Sequence, residues 1–236
     1  MTVPLLDIQG ISKHYGSLHA LSGVSCTLRQ GEVLGLIGPN GSGKSTLFQC
    51  VAGVLPADAG AVTHEGRVLQ PSERKEALFY LPDGARPWPD ERVDWTLRFM
   101  EGVFGAPSGR RERAISALAL EPLLDARLGT LSKGQHRRVL LALALVTPQP
   151  ILMLDEPFDG LDLRQVRDVM EVLRAEAREG RTLFLSIHQL GDAARVCDRL
   201  VLLSGGRVVG EGTLDELRDR AGIQQGALEE VFLALT

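Results

Sequence analysis

A glycine-rich loop near residue 40 has the composition and spacing of a phosphate-binding loop. Its residues are Gly38, Pro39, Asn40, Gly41, Ser42, Gly43, Lys44, Ser45 and Thr46. They match G-x-x-x-x-G-K-[ST] between a short apolar run, Val33–Ile37, and a segment of helical composition at 47–52. Glycines let backbone N–H groups face phosphates, and the following helix adds the positive end of its dipole. A strand, a loop and a helix in this order argue against a chance glycine-rich turn.

Two side chains of this phosphate loop (residues 38–46) have specific chemistry. Lys44 would bring a mobile cation to the β- and γ-phosphates of a nucleotide. The hydroxyl of Ser45 would be a ligand of Mg²⁺. The loop therefore predicts a nucleotide site that includes a metal ion.

A second signal is a pair of acids, Asp155 and Glu156, directly after the apolar run at 151–154. A buried strand ending in two acids places both carboxylates at the sheet edge where phosphates bind. Asp155 is suited to hold Mg²⁺, usually through water, and Glu156 to polarise an attacking water. A single acid in this position is commonly no more than a solvated strand end. The phosphate loop makes the functional reading the stronger one.

The third signal is the signature segment, defined as residues 131–135, Leu-Ser-Lys-Gly-Gln. Ser132 and Gln135 form a capping box that predicts the start of a helix over 137–146, ended by Pro148. The segment has a purely structural interpretation as this cap. Its N–H groups, the Ser132 hydroxyl and the close backbone approach at Gly134 also suit a second anion site.

On these three motifs the chain resembles the ABC ATPase family, and the resemblance runs nearly from end to end. It implies that ATP and Mg²⁺ are the cofactors. It also implies that Ser132, Gly134 and Gln135 cover the γ-phosphate of an ATP held by the opposite subunit. The family's usual third residue of the signature segment is glycine, and Lys133 replaces it here.

Weaker matches occur at three further places. Tyr15 resembles the aromatic residue on which adenine stacks, although a lone tyrosine near an N-terminal strand more often packs. Residues 158–162, Phe-Asp-Gly-Leu-Asp, resemble the segment that passes between two subunits. His188 follows an apolar strand where the family has a switch histidine that contacts the γ-phosphate. An isolated histidine would usually be structural.

One position departs from the family. A glutamine normally follows the strand predicted at 77–81, but the chain reads Leu81-Pro82-Asp83. Aspartate is shorter and offers only acceptors when ionised. A charged oxygen suits a hard cation, so Asp83 is a candidate ligand of Mg²⁺, directly or through water. The alternative is that Asp83 caps the turn at Gly84 and does not approach the metal.

The elements that must position these residues alternate along the chain. Period-2 alternation predicts a half-buried strand at 24–28, and apolar runs predict strands at 33–37, 151–154, 182–187 and 200–203. Helices are predicted at 163–179 and at the C-terminus, and helical periodicity without a convincing strand extends over 92–146. The pattern predicts an α/β fold with a RecA-like P-loop core, an antiparallel N-terminal β layer and an inserted helical subdomain. We expect one ABC-type domain over 1–236, with the core at about 1–83 and 148–236 and the insertion at about 84–147.

Composition limits the partners. The net charge is −4, and the only basic block is Arg110, Arg111 and Arg113, so nucleic-acid binding is not expected. The longest apolar run, 139–146, is well short of the roughly 18 residues of a membrane span. The N-terminus does not have the pattern of a signal peptide. Any membrane role is therefore expected to depend on a partner.

The resemblance implies an ATPase that powers transport through a separate integral membrane permease. Glu156 would orient water, while Lys44 and His188 would stabilise the charge that develops on the γ-phosphate. Two chains, as a homodimer or as a heterodimer with a second ABC ATPase, would enclose two ATP molecules. The expected location is cytoplasmic, at the inner face of the cell membrane. The motif variants look more like those of exporters than of importers.

Two alternatives remain open at this point. The first is a soluble ABC ATPase in a non-transport role such as a cluster-assembly scaffold. A P-loop kinase or GTPase is disfavoured by the signature segment and by Glu156 following Asp155.

The loop at 83–90, with Trp88, is the expected docking place of the permease, although Trp88 has an equally good interpretation as local packing.

Overall fold

The computed structural model describes residues 3–223 and 225–236. The strands in these residues are β1 Leu6–Tyr15, β2 Leu18–Leu28, β3 Val33–Ile37, β4 Ala59–His64, β5 Arg67–Val68, β6 Leu78–Leu81, β7 Ile151–Asp155, β8 Thr182–Ile187, β9 Arg199–Ser204 and β10 Arg207–Gly212. The helices are α1 Lys44–Ala52, α2 Arg74–Ala77, α3 Val93–Phe104, α4 Arg110–Ala117, α5 Lys133–Val146, α6 Leu163–Arg178, α7 Leu190–Val196, α8 Leu214–Ala221 and α9 Leu228–Leu235.

The larger sheet has six strands in the order β10-β9-β3-β8-β7-β6. All neighbouring pairs are parallel except β10 with β9. Every residue of β3, β7 and β8 is buried, which explains why these strands are continuous apolar runs in the sequence. Since the strands are parallel, β3, β8 and β7 end at the same edge of the sheet.

The smaller sheet is antiparallel, in the order β2-β1-β4-β5. Its inward side chains share a core with α1 and with one face of the larger sheet, where Met153 and Phe184 lie. Residues of opposite parity, such as Leu152 and Leu154, belong to the core on the other face with α5, α6 and α7. The predicted α/β fold with an antiparallel N-terminal layer is confirmed.

The chain between β6 and β7 is helical, and every residue of it is described. It contains α3, α4, α5 and three-residue 3₁₀ turns, and its only strand-like pairing is an isolated bridge from Arg92 to Arg127. The helical periodicity predicted for this region is present in α3, where Val93 and Leu97 are fully buried. Helix α5 begins at Lys133, not at 137 as predicted, because the Ser132 cap is followed at once by helical backbone.

Helix α1 similarly begins at Lys44, three residues before the predicted start, so the end of the phosphate loop is already helical. Helix α6 begins at a capping box of Asp162 and Gln165 and ends before Gly180, close to the predicted end. In the part of the chain that the structure describes, none of the helices combines the length and the apolar composition that a bilayer span requires.

Candidate functional site

The phosphate loop connects the end of β3 to the start of α1, and two of its glycines are required by sterics. A Cβ atom on Gly38 would lie 2.3 Å from the carbonyl oxygen of Leu203 and 2.5 Å from Oγ of Ser42. Gly43 has a φ of +106°, and a Cβ atom there would lie 2.7 Å from the carbonyl oxygen of Ala20. The backbone of the loop is therefore packed directly against its neighbours, with no room for side chains at these positions.

Lys44 is buried at the first position of α1, with 7% of the side chain exposed. Its Nζ donates to the carbonyl oxygens of Gly38 at 2.8 Å and Pro39 at 3.3 Å, and lies 3.9 Å from Oε1 of Glu156. The nearby hydroxyl of Ser42 is buried without a hydrogen-bond partner among the described residues. A buried ammonium group on neutral carbonyls, beside an unsatisfied hydroxyl, fits a phosphate ligand.

Asp155 ends β7 with 2% of its surface exposed. One oxygen accepts a hydrogen bond from Ser186 Oγ at 2.5 Å, and the other from the Tyr80 hydroxyl at 3.5 Å. Burial, together with the charge of Asp155, raises the pKa of the Tyr80 hydroxyl, so Tyr80 remains a neutral donor. Among the described residues, no cationic side chain pairs with Asp155. A buried carboxylate that lacks a cationic partner fits a hard divalent cation.

Glu156 has an unusual backbone conformation for a residue with a side chain. Its φ is +52°, and its N–H donates to the carbonyl oxygen of Ser186 at 3.1 Å. A left-handed backbone conformation at a residue other than glycine costs about 1–3 kcal/mol of folding free energy. It persists only where the surrounding structure imposes the conformation, commonly at functional sites. The carboxylate lies between Lys44 and Nδ1 of His188, which is 2.6 Å from Oε2. The strained turn thus directs Glu156 toward the phosphate loop.

Lys44 and Glu156 border a cavity of about 530 Å³, whereas Asp155 is not part of its wall. The predicted residues in its wall are Tyr15, Asn40, Gly41, Gly43, Lys44, Ser45, Thr46, Asp83 and Glu156. His188, Gly38 and Pro39 border a second cavity of about 140 Å³. The side chain of Tyr15 is 48% exposed, as stacking on a planar ring would require.

No motif in the sequence indicates the rest of the wall, which consists of Leu18, His19, Ala20, Gly205 and Gly206. Gly205 and Gly206 form the turn between β9 and β10. Gly206 N–H donates to the carbonyl oxygen of Ser42, which brings this turn onto the phosphate loop. The contact depends on β9 lying beside β3, and no local pattern in the sequence reveals that neighbour.

The signature segment lies outside this cavity. Ser132 Oγ accepts from the Gln135 N–H at 3.3 Å, and the Gln135 side chain accepts from the Ser132 N–H at 2.9 Å, so the predicted capping box is present. A Cβ atom on Gly134 would lie 2.9 Å from Gln165 Oε1 and 3.1 Å from the carbonyl oxygen of Gly160. Gly134 is therefore needed for packing within the chain, in addition to any role toward a second one.

Asp83 is in the cavity wall, and its carboxylate is engaged by an arginine that the sequence did not indicate. Arg137 of α5 donates from Nη2 to Asp83 Oδ1 at 2.6 Å. Among the described residues, no hydrogen bond joins the Asp83 side chain to Gly84, which the capping alternative would require. The role of Asp83 as a ligand of Mg²⁺ stays a prediction.

Comparison with known proteins assigns the family. Residues 21–159 match the family model described as ABC transporter, a match that includes the phosphate loop, the signature segment and both acids. The chain belongs to the ABC transporter family. Membership implies ATP binding and an ATPase coupled to transport.

Individual relatives agree with this assignment. The Nod factor export ATP-binding protein I of Rhizobium etli is 34% identical over 225 residues, 93% of this chain and 71% of the relative. The sn-glycerol-3-phosphate import ATP-binding protein of Rhizobium johnstonii is 33% identical over 220 residues, 90% of this chain and 59% of the relative. A solved ATP-binding subunit of an ABC transporter superposes with a TM-score of 0.89 at 30% identity, covering 98% of this chain and 99% of the other. Over nearly its whole length the chain is therefore similar to ATP-binding subunits of ABC transporters.

Proposed function

We propose that this chain hydrolyses ATP in the cavity beside the phosphate loop. The observation that carries the proposal is the carboxylate of Glu156, which lies between the Lys44 ammonium group, 3.9 Å away, and Nδ1 of His188, 2.6 Å away. A base that lies beside a phosphate-binding cation is the arrangement that water attack on a phosphoryl group requires.

The residues have separate roles in this proposal. The backbone N–H groups of the phosphate loop and Lys44 bind the phosphates, and the exposed ring of Tyr15 stacks on the adenine. Glu156 orients the attacking water and accepts its proton. His188 holds Glu156 through its hydrogen bond and, with Lys44, would stabilise negative charge on the γ-phosphate.

Ser45 and Asp155 are the residues that would hold Mg²⁺. When bound, the ion supplies positive charge to the β- and γ-phosphates. Ser186 and Tyr80 donate hydrogen bonds to the two oxygens of Asp155, and these bonds orient the carboxylate toward the ion.

The test of this proposal is Glu156→Gln. The substitution keeps the size of the side chain but removes the base, so we expect ATP binding to be retained and turnover to fall on the order of 10²-fold or more. The variant should also accumulate as an ATP-bound dimer. ATP affinity, steady-state hydrolysis and size-exclusion elution measure these effects.

The matched control is Glu121→Gln, which removes an exposed carboxylate from the helical region between β6 and β7. It should behave as the wild type in all three assays. Near-normal hydrolysis by purified Glu156→Gln would remove Glu156 from its proposed role.

We further propose that two chains enclose two ATP molecules. The signature segment does not reach the cavity of its own chain, which supports a role for Ser132, Gly134 and Gln135 at the nucleotide of a second subunit. Leu163, which follows the segment 158–162, is 90% exposed and offers an apolar contact to such a subunit. The helical subdomain at about 84–147 would move relative to the core at about 1–83 and 148–236 as this dimer closes.

The proposed partner for transport is an integral membrane permease, which would hold the chain at the cytoplasmic face of the membrane. An aromatic cluster, consisting of Trp88, Trp95 and Phe99, is 39–50% exposed and supports a docking place beside the loop at 83–90. Ring centroids in this cluster are 5.1–5.9 Å apart. Aromatic side chains of this kind are common at the centre of protein interfaces.

Relatives named for export and for import have similar identities to this chain, 34% and 33%, so the proposal is transport without an assigned direction.

A further inference from the structure

Arg137 is a buried arginine that connects helix α5 to Asp83 and to Asp159. It lies on α5, two residues after the signature segment, and only 5% of its surface is exposed. Nη2 is 2.6 Å from Asp83 Oδ1 and 3.8 Å from Asp159 Oδ2, and Nε donates to the carbonyl oxygen of Asp159 at 3.3 Å. The remaining nitrogen, Nη1, has no hydrogen-bond partner among the described residues.

Asp159 receives a second cation from the same helix. Lys133, one helical turn before Arg137, donates from Nζ to Asp159 Oδ2 at 2.8 Å. The hydrogen bond from Lys133 and the charges of Lys133 and Arg137 hold the pKa of the Asp159 carboxyl below its usual value. Lys133 also packs its stem on Gly160, where a Cβ atom would lie 2.6 Å from Lys133 Cγ. Helix α5 therefore uses two cations to hold the turn at residues 156–160.

The turn that these cations hold starts at the residue assigned as the base. The N–H of Asp159 donates to the carbonyl oxygen of Glu156 at 3.1 Å, which closes a turn around the strained backbone of Glu156. Asp83, at the other end of the Arg137 contacts, is in the wall of the nucleotide cavity. One guanidinium group thus contacts the cavity wall and the turn that directs Glu156.

The geometry of arginine suits this connection. The guanidinium group is planar, permanently charged and has donors in several directions, so it can engage a carboxylate and a carbonyl oxygen at the same time. A lysine in its place would provide a single charged nitrogen. Because Arg137 is buried, loss of the Asp83 carboxylate would leave its positive charge poorly compensated. A small displacement of either side chain should therefore destabilise the contact.

We propose that Arg137 is a positioning residue for ATP hydrolysis. It holds Asp83 and the turn after Glu156 in a fixed relation to α5, the helix whose first turn carries the signature segment. A shift of α5 would accordingly be transmitted to Glu156 within the same chain. This inference rests on the proposed ATPase function, and it assigns Asp83 a role as the partner of Arg137 that is separate from any contact with the metal.

The test is a double-mutant cycle with Arg137→Gln, Asp83→Asn and the double variant, all as the full chain. Each single change should lower kcat about tenfold, as expected when one partner of a coupled pair is lost, while the KM for ATP changes by less than about twofold. The double variant should be no slower than the worse single variant. Arg137→Lys should recover only part of kcat, since it cannot hold Asp83 and the Asp159 carbonyl oxygen together.

The same cycle is measured by thermal unfolding without nucleotide, a readout independent of activity. The singles should each lower Tm, and their effects should be non-additive in the double variant. Arg138→Gln is the matched control, because this neighbouring arginine donates to the carbonyl oxygens of Leu118 and Ala119, away from the cavity. Its effects on Tm and kcat should add to those of Asp83→Asn.

Three results would overturn the inference. One is a lower Tm for Arg137→Gln, or for Arg137→Lys if the glutamine variant does not fold, with kcat per folded protein unchanged. Another is additivity of Arg137→Gln and Asp83→Asn. The third is a raised half-saturating Mg²⁺ concentration for Asp83→Asn that Arg137→Gln does not share, with kcat of Asp83→Asn unchanged at saturating Mg²⁺, because Asp83 would then act through the metal alone. A wild-type chain without ATPase activity would instead overturn the proposed function and leave the unfolding cycle interpretable.

Discussion

Close backbone contacts shape the phosphate loop as much as its one charged side chain, Lys44, does. Gly38 shows this most directly, because its Cα faces the carbonyl oxygen of Leu203 and the hydroxyl of Ser42. A loop held in this way presents its N–H groups in one arrangement before a phosphate arrives, which reduces the entropy lost on binding.

Gly38→Ala should therefore weaken ATP binding. The added Cβ would lie 2.3 Å from a backbone oxygen, so the loop must move and its N–H groups lose their alignment. We expect at least a tenfold rise in the Kd of ATP, about 1.4 kcal/mol, together with a lower Tm. Calorimetric titration and thermal unfolding would measure both.

Gly41→Ala is the matched control for this prediction. It also has a positive φ, +80°, but nothing lies within 4 Å of its Cβ position. Its effect should be limited to backbone strain and should be smaller. An equal loss of affinity in the two variants would show that close packing at Gly38 is not the cause.

His136, between Gln135 and Arg137, makes the stability of the helical region depend on pH. Burial, together with the charges of Arg137 and Arg86, lowers the pKa of the His136 imidazole. The unfolded chain therefore binds a proton more readily than the folded chain between this lowered pKa and the ordinary value of about 6.5. Stability contributed by neutral His136 is present above that window and is lost as the pH falls through it.

His136→Gln should reduce the loss of stability between pH 7.5 and pH 5.5. The measurement is the free energy of unfolding, from denaturant titrations of wild type and variant at several pH values in this interval. Parallel curves for the two proteins would show that other groups cause the pH dependence.

At the scale of residues, short sequence motifs identify the candidate functional side chains but not all the contacts that orient them. Lys44, Asp155 and Glu156 belong to short patterns with a fixed relation to a strand or a helix. Arg137 lies within three residues of a recognised motif, yet its partner Asp83 is 54 residues away along the chain. The pairing depends on how α5 docks on the core, and spacing in the sequence does not contain that information.

At the scale of elements, strands with continuous apolar runs were predicted more reliably than irregular ones. Helix α5 was predicted from its cap, and β3, β7 and β8 from their composition. No such pattern identifies β1. Its buried residues include Ile8 and Ile11, which are three apart, and the register of β1 against β2 shifts between them. An irregularity of this kind breaks the period of two on which strand prediction depends.

Trp95→Ala tests the docking surface formed by α3 and the loop before it. Loss of the indole removes the ring stacked on Phe99 at 5.3 Å and edge-on to Trp88 at 5.9 Å, so the aromatic cluster loses its shape. We expect reduced co-purification with the permease, by about tenfold or more if Trp95 is an interface hot spot, and near-normal ATP hydrolysis by the isolated chain.

Leu233→Ala is the control, because it truncates a 75% exposed apolar side chain on α9. It should leave the amount of co-purified permease unchanged. A permease that binds Trp95→Ala as well as it binds wild type would move the docking place away from α3.

At the scale of the whole molecule, one chain contains one phosphate loop and one signature segment that do not meet. The capped start of α5 is open to solvent at Ser132, which is exposed. In the proposed dimer, a second copy or a related chain would supply the signature segment to the phosphate loop of the first.

A mixture of variants would test this arrangement. Lys44→Ala impairs the phosphate loop of one chain, and Ser132→Arg blocks the signature segment of the other. Each heterodimer should retain at most one working site, and each homodimer should retain none. ATPase activity of the Ser132→Arg homodimer equal to that of wild type would contradict a shared site.

The order of strands in the larger sheet also has a consequence for synthesis of the protein. Strand β3 is hydrogen-bonded to β8 and β9, and Ile37 is opposite Ile187, 150 residues later in the chain. Contacts between such distant residues form slowly and only after both partners exist. A nascent chain on the ribosome would therefore carry the phosphate loop long before β8 and His188 emerge. The ability to hydrolyse ATP would then be acquired late, after most of the polypeptide has been made.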